Sequence, residues 1–217
     1  MSYTRLIPAV RWPLAALFLL LCVAGCADRA PHTALPADAV VLAFGDSVTY
    51  GMGAGAGEDY PSQLAALSGL NVVNAGVSGD TARAAGSRLA PLLSRHQPDL
   101  VIIELGGNDF LRKTAEPQVK TFLQGIIREA AASGAAVARE SVPRLSLLRA
   151  SIGALSDSGI YSELAEEEGV VLVPDIFSQV LSDSALRADE IHPNAQGYKV
   201  LAQGIHAELV DQGLLIR

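Results

Sequence analysis

An α/β fold in three layers, with helices on both faces of a five-stranded parallel sheet, is predicted by three features of this 217-residue sequence. Short apolar runs alternate along the chain with longer amphipathic stretches, which is the order of strands and helices in an α/β domain. The runs are continuously apolar, as expected for parallel strands buried on both faces. Residues that interrupt strands, such as Gly45, Gly106 and Pro174, close three of these runs.

The same pattern assigns each strand and helix. The predicted strands are residues 40–44, 71–74, 100–105, 135–138 and 170–173. The predicted helices are residues 60–68, 82–95, 117–133, 156–168 and 195–211. Strands in this order are joined by right-handed crossovers, and function gathers at the carboxyl ends of the strands. The loops that follow the strands are therefore where chemistry is expected.

The N-terminal segment has the pattern of a secretion signal. Arg5 and Arg11 lead into an apolar run, residues 14–23, that is too short to span a bilayer. The sequence Val23-Ala24-Gly25-Cys26 follows and resembles the lipobox of bacterial lipoproteins, whose cysteine is lipidated and becomes the new N-terminus. The alternative is an ordinary signal peptide that is cut near the same place, with Cys26 incidental.

We therefore divide the chain into a lipoprotein signal peptide over residues 1–25, a tether over 26–39 and one folded domain over 40–217. Each buried methylene of an acyl chain adds about 0.8 kcal/mol to membrane binding, so a multiply acylated Cys26 would anchor the protein firmly. The expected location is the bacterial cell envelope, with the domain facing the periplasm or the exterior. We expect the domain to be a monomer.

Charge and composition exclude several classes of protein. The net charge is −7, and it becomes −9 without the leader, which contains two arginines and no acidic residue. An acidic domain without a basic run is a poor candidate for binding nucleic acid. No metal-ligand motif such as H-E-x-x-H or paired cysteines is present, and the glycines at 51, 53, 55 and 57 do not fit a nucleotide-binding motif. No cofactor and no metal are expected.

Three predicted strand ends carry candidate catalytic groups. Ser47 follows the first strand and is either a nucleophile or a turn serine. Gly79 lies in a glycine-containing turn after the second strand, where a backbone N–H could stabilise an oxyanion. Asn108 follows the third strand, and its amide could supply another donor. The alternatives are a plain turn at Gly79 and helix capping by Asn108 or Asp109.

A fourth group of residues lies near the C-terminus. Asp189 and His192 are three residues apart on a predicted loop, so their side chains can meet within one turn. The carboxylate would fix the imidazole tautomer and stabilise its cation, as a general base requires. Together, the four groups supply a nucleophile, an oriented base and two separate oxyanion donors.

The four segments resemble the conserved blocks of the SGNH, or GDSL, hydrolases. They are Gly45-Asp46-Ser47, Val77-Ser78-Gly79-Asp80-Thr81, Gly106-Gly107-Asn108-Asp109 and Asp189-Glu190-Ile191-His192. The resemblance covers about residues 40 to 210, in the family's order, and implies a flavodoxin-like fold. It also implies a triad of Ser47, Asp189 and His192, and an oxyanion hole formed by Ser47, Gly79 and Asn108.

The function that the resemblance implies is hydrolysis of carboxylic esters or thioesters through an acyl-serine intermediate, with a small-molecule or lipid acyl ester as substrate. The first alternative is a carbohydrate O-acetyl esterase that acts on envelope polysaccharide. The second is a catalytically silent lipoprotein that uses the fold for binding.

One segment departs from the family pattern. Arg139 and Glu140 follow the predicted fourth strand, where an apolar or glycine-rich stretch is expected. Burying two charges is costly unless they are paired or hydrated. Two interpretations stay open, because these residues could line the acyl pocket or belong to a solvated loop.

Overall fold

The computed structural model describes residues 32–144 and 155–216, together with the isolated residues Met1 and Tyr3. The predicted signal peptide, Cys26 and the first part of the predicted tether lie outside the described residues apart from those two. In chain order the elements are β1 (Val40–Gly45), α1 (Ser47–Tyr50), α2 (Tyr60–Ser68), β2 (Asn71–Gly76), α3 (Ala82–Gly86), α4 (Leu89–His96), β3 (Leu100–Glu104), α5 (Gly107–Leu111), α6 (Glu116–Ala132), β4 (Ala136–Glu140), α7 (Ile160–Glu168), β5 (Val171–Val173), α8 (Ile176–Ser182) and α9 (Ala195–Asp211).

The five strands form one parallel sheet in the order β2-β1-β3-β4-β5. Helices α2, α8 and α9 pack together in one layer, while α3, α4, α6 and α7 pack together in another. Most strand residues are buried, and β1 and β3 lie at the centre of the hydrophobic core. The predicted three-layer α/β fold is confirmed.

The strand order places a crevice between the loops that follow β1 and β3. From β1 the chain crosses to β2 on one side and then returns to β3 on the other side. Loops that leave neighbouring strands in opposite directions open a cleft at the carboxyl ends of those strands, where ligands bind in open α/β sheets. Ser47 follows β1 and Asn108 follows β3, so both lie at this position.

Local signals explain the elements whose bounds the sequence predicts well. Asp59 caps α2 by accepting a hydrogen bond from Ser62 N–H, and Pro61 suits the first turn because it needs no amide partner there. Asn194 caps α9 in the same way through Gly197 N–H. Both helices therefore begin and end at the predicted residues.

The predicted helix over residues 82–95 is wrong in one respect, because it is two helices, α3 and α4. Gly86 weakens the helix at this point, and the Ser87 hydroxyl donates to the carbonyl of Ala84. Arg88 stands at the break and is the N-cap residue of α4.

The start of α7 and three short helices also differ from the prediction. Helix α7 begins at Ile160 rather than at residue 156, because residues 156–158 extend alongside 142–144 through backbone hydrogen bonds. The short helices α1, α5 and α8 were not predicted. Each has seven or fewer residues, too few for an amphipathic period to be recognised in the sequence.

Both interpretations of Arg139 and Glu140 are wrong, because the two residues belong to β4 and are fully buried. The Arg139 guanidinium lies 4.0 Å from the ring centroid of Tyr161, and burial lowers its pKa to about 10. Burial raises the pKa of Glu140 far above its usual value, and the nearby charges of Asp157 and Asp46 add to the effect. Strand β4 is longer than its apolar run because Arg139 and Glu140 also pair with residues of β5. The sequence pattern alone does not indicate this pairing.

Among the residues that the structure describes, no helix combines the length and the hydrophobicity that a transmembrane span requires.

Candidate active site

Ser47 is the first residue of α1, directly at the carboxyl end of β1. Asp46 precedes it and caps the helix, because its Oδ1 accepts a hydrogen bond from Val48 N–H at 3.1 Å. The N–H groups in a first helical turn have no partner within their helix. The backbone N–H of Ser47 is therefore left as a donor beside the side-chain hydroxyl.

The structure brings Ser47, His192 and Asp189 into one hydrogen-bonded chain. His192 Nε2 lies 3.0 Å from Ser47 Oγ, across 145 residues of sequence. On the other side of the ring, His192 Nδ1 lies 2.8 Å from Asp189 Oδ2. The His192 side chain is 13% exposed and that of Asp189 is 48% exposed, so the chain runs from the crevice to the surface.

Asp189 organises its own loop as well as the histidine ring. Its Oδ1 accepts hydrogen bonds from the backbone N–H groups of Ile191 and His192, both at 2.9 Å. Partial burial opposes ionisation of this carboxyl, but the hydrogen bonds from the His192 ring and from these two N–H groups outweigh it. They hold the pKa of Asp189 below its usual value, so the group is a carboxylate at neutral pH.

The loop that carries His192 is held against the loop that follows α1. Gly53 adopts φ +94°, and a Cβ at this position would lie 2.5 Å from the carbonyl oxygen of Pro193. The hydroxyl of Tyr198 in α9 donates to the carbonyl of Met52 at 2.7 Å. The close approach of Gly53 to the histidine loop joins residues about 140 positions apart, so it is visible only in the structure.

Gly79 lies in a turn after β2, with φ +81°. Asp80 N–H donates to the carbonyl of Val77, and the Gly79 carbonyl accepts a hydrogen bond from Arg112. A glycine with positive φ at this position is typical of a type II turn. Within residues 32–144 and 155–216, the N–H of Gly79 finds no protein acceptor, so it stays available as a donor.

Asn108 lies within α5, and its side chain reaches across the crevice to the residue before Ser47. Its Nδ2 donates to Asp46 Oδ2 at 2.9 Å. One of the two amide hydrogens is thereby committed, and the other is left for a ligand. Asn108 therefore does not cap α5. Asp109 does not cap it either, because it accepts a hydrogen bond from Ala82 N–H at the start of α3.

Two buried acidic residues, Asp46 and Glu104, lie next to each other near Ser47, and the sequence does not predict this pair. Glu104, at the end of β3, accepts a hydrogen bond from Thr49 Oγ1 at 3.0 Å, and this hydroxyl also contacts the hydroxyl of Tyr60. Burial, followed by the charges of Asp46 and Glu140, raises the pKa of Glu104 well above its usual value. A charged residue at the end of an apolar strand was the one signal in the sequence.

The pKa of Asp46 is raised to about 6 by burial, which outweighs the hydrogen bonds from Val48 N–H and the Asn108 amide. A hydrogen bond with Glu104 also acts on this carboxyl. The two carboxyls therefore share a dry environment in which two full negative charges are disfavoured.

A small cavity of about 20 Å³ adjoins Ser47 and His192. Its apolar walls come from the loops and helices at the carboxyl ends of β3, β4 and β5 and from the histidine loop, through the side chains of Leu111, Val142, Phe177 and Ile191. Asn108 also lines this cavity. A volume of this size has room for a group of about the size of a methyl, so the first carbon of an acyl chain bound at Ser47 could enter it.

Within the part of the chain that the structure describes, no three histidine, cysteine, aspartate or glutamate side chains lie close enough together to hold a metal ion.

The model of the GDSL-like lipase/acylhydrolase family matches residues 43–200, which contain all the groups described above. This chain belongs to that family. The chain is also similar to thioesterase 1/protease 1/lysophospholipase L1 of Escherichia coli, to which it is 34% identical over 92% of each chain. Esterase TesA of Pseudomonas aeruginosa is 33% identical and covers 80% of this chain and 89% of its own.

Solved structures agree with this assignment. The crystal structure of AlinE4, an esterase of the SGNH-hydrolase family, superposes with a TM-score of 0.62 at 30% identity, covering 82% of this chain and 98% of that chain. The GDSL-like protein described here is therefore a carboxylic ester hydrolase of the SGNH type.

Proposed function

We propose that Ser47 is the nucleophile of this esterase, His192 its general base and Asp189 the group that orients the histidine. The observation that carries the proposal is the continuous chain of contacts from Asp189 through both nitrogens of the His192 ring to Ser47 Oγ. A base and a nucleophile within hydrogen-bond reach, with a third group orienting the base, is the arrangement that activates a serine.

The reaction then proceeds in two halves. His192 Nε2 takes the Ser47 proton while Oγ attacks the acyl carbon, and the resulting imidazolium is stabilised by the Asp189 carboxylate. Its proton passes to the leaving alcohol or thiol as the bond to the acyl group breaks. Water then attacks the acyl-serine with His192 again as the base, which releases the acid and restores Ser47.

We assign the oxyanion hole to the backbone N–H groups of Ser47 and Gly79 and to the Asn108 amide. Two observations support the assignment, namely the free N–H of Gly79 and the second amide hydrogen of Asn108. Asp46 holds the Asn108 amide, so that this donor is preorganised before the oxyanion forms.

Removing the Asn108 donor should slow the chemical step. We expect Asn108→Ala to lower kcat roughly 10²–10³-fold, the usual cost of losing one oxyanion donor, while KM changes little. Steady-state kinetics on p-nitrophenyl esters would measure it, with the thermal midpoint as the check on folding. Near-normal turnover by a folded variant would remove Asn108 from the hole.

The substrate we propose is a carboxylic ester or thioester with a broad range of acyl groups, of the arylesterase, thioesterase or lysophospholipase type. The apolar walls of the cavity beside Ser47 favour an acyl group as its occupant. The names of the relatives point in the same direction and give no support to a carbohydrate deacetylase.

Acyl preference can be measured directly on p-nitrophenyl acetate, octanoate and palmitate. We expect kcat/KM to be retained or to rise from acetate to octanoate, because each methylene that becomes buried against apolar surface contributes about 0.8 kcal/mol to binding. Octanoyl-CoA tests the thioester. A sharp preference for acetate would instead favour the O-acetyl esterase alternative, and failure of a fluorophosphonate to label Ser47 would favour the catalytically silent one.

We further propose that residues 1–25 are a lipoprotein signal peptide and that lipidated Cys26 anchors a monomeric enzyme to the cell envelope. Strand β1 runs from the tether to Ser47, and its six residues span about 20 Å. The tether therefore joins the domain at the amino end of β1, opposite the strand end that carries Ser47. Such an anchor would leave the site facing the periplasm or the exterior.

Lipidation predicts a covalent label on one cysteine. In a bacterial host fed an alkyne analogue of palmitate, the wild-type chain should become labelled and remain with the membranes after a high-salt wash. The Cys26→Ser variant should lose both properties, whereas Cys22→Ser should keep them, because only Cys26 occupies the lipidated position. Equal labelling of wild type and Cys26→Ser would refute the anchor and leave the esterase assignment intact.

A further inference from the structure

The guanidinium of Arg88 joins the ends of two neighbouring strands. Its Nη2 donates to the Gly45 carbonyl and its Nη1 to the Ala75 carbonyl, each at 2.7 Å. Its Nε donates to Asp80 Oδ2, also at 2.7 Å. One face of the group lies over the ring of Phe44, with 4.3 Å between the guanidinium carbon and the ring centroid. With 22% of its side chain exposed, Arg88 makes three charge-assisted contacts in a largely dry position.

The partners of Arg88 adjoin the two backbone donors that we assign to the oxyanion hole. Gly45 ends β1 and lies two residues before Ser47, while Asp80 directly follows Gly79. The parallel ladder between β1 and β2 ends at the pair Gly45 and Gly76. Beyond that pair, Val77 N–H still donates to the Gly45 carbonyl at 3.1 Å, and Arg88 extends the connection from the same carbonyl to Asp80.

We propose that Arg88 is a positioning residue that holds the Ser47 and Gly79 loops at the separation the oxyanion hole requires. The inference rests on the proposed function, since it assumes that the N–H groups of these two residues bind the oxyanion. Arg88 itself touches neither of them. It acts through the Gly45 carbonyl on one side and the Asp80 carboxylate on the other.

The planar fork of arginine suits this task and an ammonium group does not. A guanidinium presents donors at fixed angles, so one side chain can bind two carbonyls and a carboxylate at once. The break between α3 and α4, where Gly86 and Ser87 interrupt the helix, places Arg88 at the start of α4, facing the strand ends. This break is the feature that the predicted continuous helix missed.

A purely structural role makes a different prediction from a positioning role. If Arg88 only stabilised the fold, its replacement would lower the thermal midpoint and leave kcat of the folded enzyme unchanged. If it positions the oxyanion donors, kcat falls while KM is retained, because the oxyanion exists only in the transition state.

The test is Arg88→Lys, which keeps the charge and the pairing with Asp80 but cannot reach both carbonyls. A displacement of about 1 Å at a reacting centre can cost about 10²-fold, so we expect kcat on p-nitrophenyl acetate to fall roughly 10–100-fold with KM within about threefold. Inactivation by a fluorophosphonate should slow in parallel, since its phosphoryl oxygen occupies the same hole. Arg95→Lys, on the same helix, is the matched control and should behave as wild type.

A second variant keeps the proposal testable if Arg88→Lys does not fold. Asp80→Asn weakens the contact to the Gly79 loop and leaves both carbonyl contacts intact, so we expect kcat to fall roughly three- to tenfold at constant KM. An unchanged kcat in a folded Arg88→Lys, or in Asp80→Asn when the first variant is insoluble, would overturn the proposal. Absence of wild-type turnover or of Ser47 labelling would instead contradict the proposed function.

Discussion

Ser47→Ala is expected to abolish nearly all esterase activity, lowering kcat by about 10⁶-fold, as the loss of the nucleophile does in serine hydrolases. The alanine methyl group cannot attack the acyl carbon, and no acyl-enzyme can form. The residual rate should come from the oxyanion hole and substrate binding alone. Turnover of p-nitrophenyl octanoate and labelling by a fluorophosphonate measure the two consequences independently.

The control for this variant is Ser78→Ala, which removes an exposed hydroxyl from the turn that contains Gly79. It should keep wild-type turnover and labelling. Both variants should keep the thermal midpoint, because substitutions of this kind away from caps and cores usually change stability by less than about 0.5 kcal/mol. Substantial turnover or stoichiometric labelling in Ser47→Ala would mean that another residue is the nucleophile.

Asp189→Asn is expected to have the second-largest effect, lowering kcat by about 10⁴-fold with little change in KM. An asparagine amide can donate to His192 Nδ1, which the carboxylate cannot. The ring would then carry its proton on Nε2, the nitrogen that faces Ser47 Oγ at 3.0 Å and must accept a proton from it. The imidazolium would also lose its counter-charge.

Asparagine is chosen over alanine because Asp189 also accepts the N–H groups of Ile191 and His192. The amide oxygen of asparagine can accept the same two hydrogen bonds, so the loop should keep its conformation. The thermal midpoint of the protein should therefore be unchanged. Glu190→Gln, which neutralises the neighbouring exposed acid, is the matched control. Activity within about tenfold of wild type in Asp189→Asn would show that the carboxylate does not set the histidine tautomer.

The local pattern of the chain was enough to predict the sheet and most of the helices. Short strands that are apolar at every position bury both of their faces when helices cover the sheet on both sides. The side chains of Asp59 and Asn194 cap the first turns of α2 and α9 through hydrogen bonds to residues three positions later. These signals act within a few residues, so they are readable before the chain is folded. The contact between Asp189 and His192 is also a local signal, because only two residues separate them in the sequence.

Other features of the structure depend on contacts between residues that are distant in the sequence, so the sequence indicates them only weakly. Arg139 and Glu140 look like the end of a strand, yet β4 continues through them because β5 pairs with it and Tyr161 covers the guanidinium. Asp46 was adjacent to the predicted nucleophile, but its hydrogen bond to Asn108 spans 62 residues. Arg88 lies within a predicted helix, and nothing near it in the sequence indicates that it contacts two strand ends and the turn after β2.

Local features of the sequence suffice to predict the fold class, the family and the groups that could carry out ester hydrolysis. These follow from periodicity, from turn and cap chemistry and from residue types at fixed spacing, all of which are local. The tertiary structure alone decided which groups meet, such as Ser47 Oγ with His192 Nε2 across 145 residues, and what braces them. It also set the ionisation of Asp46 and Glu104, since burial is a property of the packed core and not of any segment.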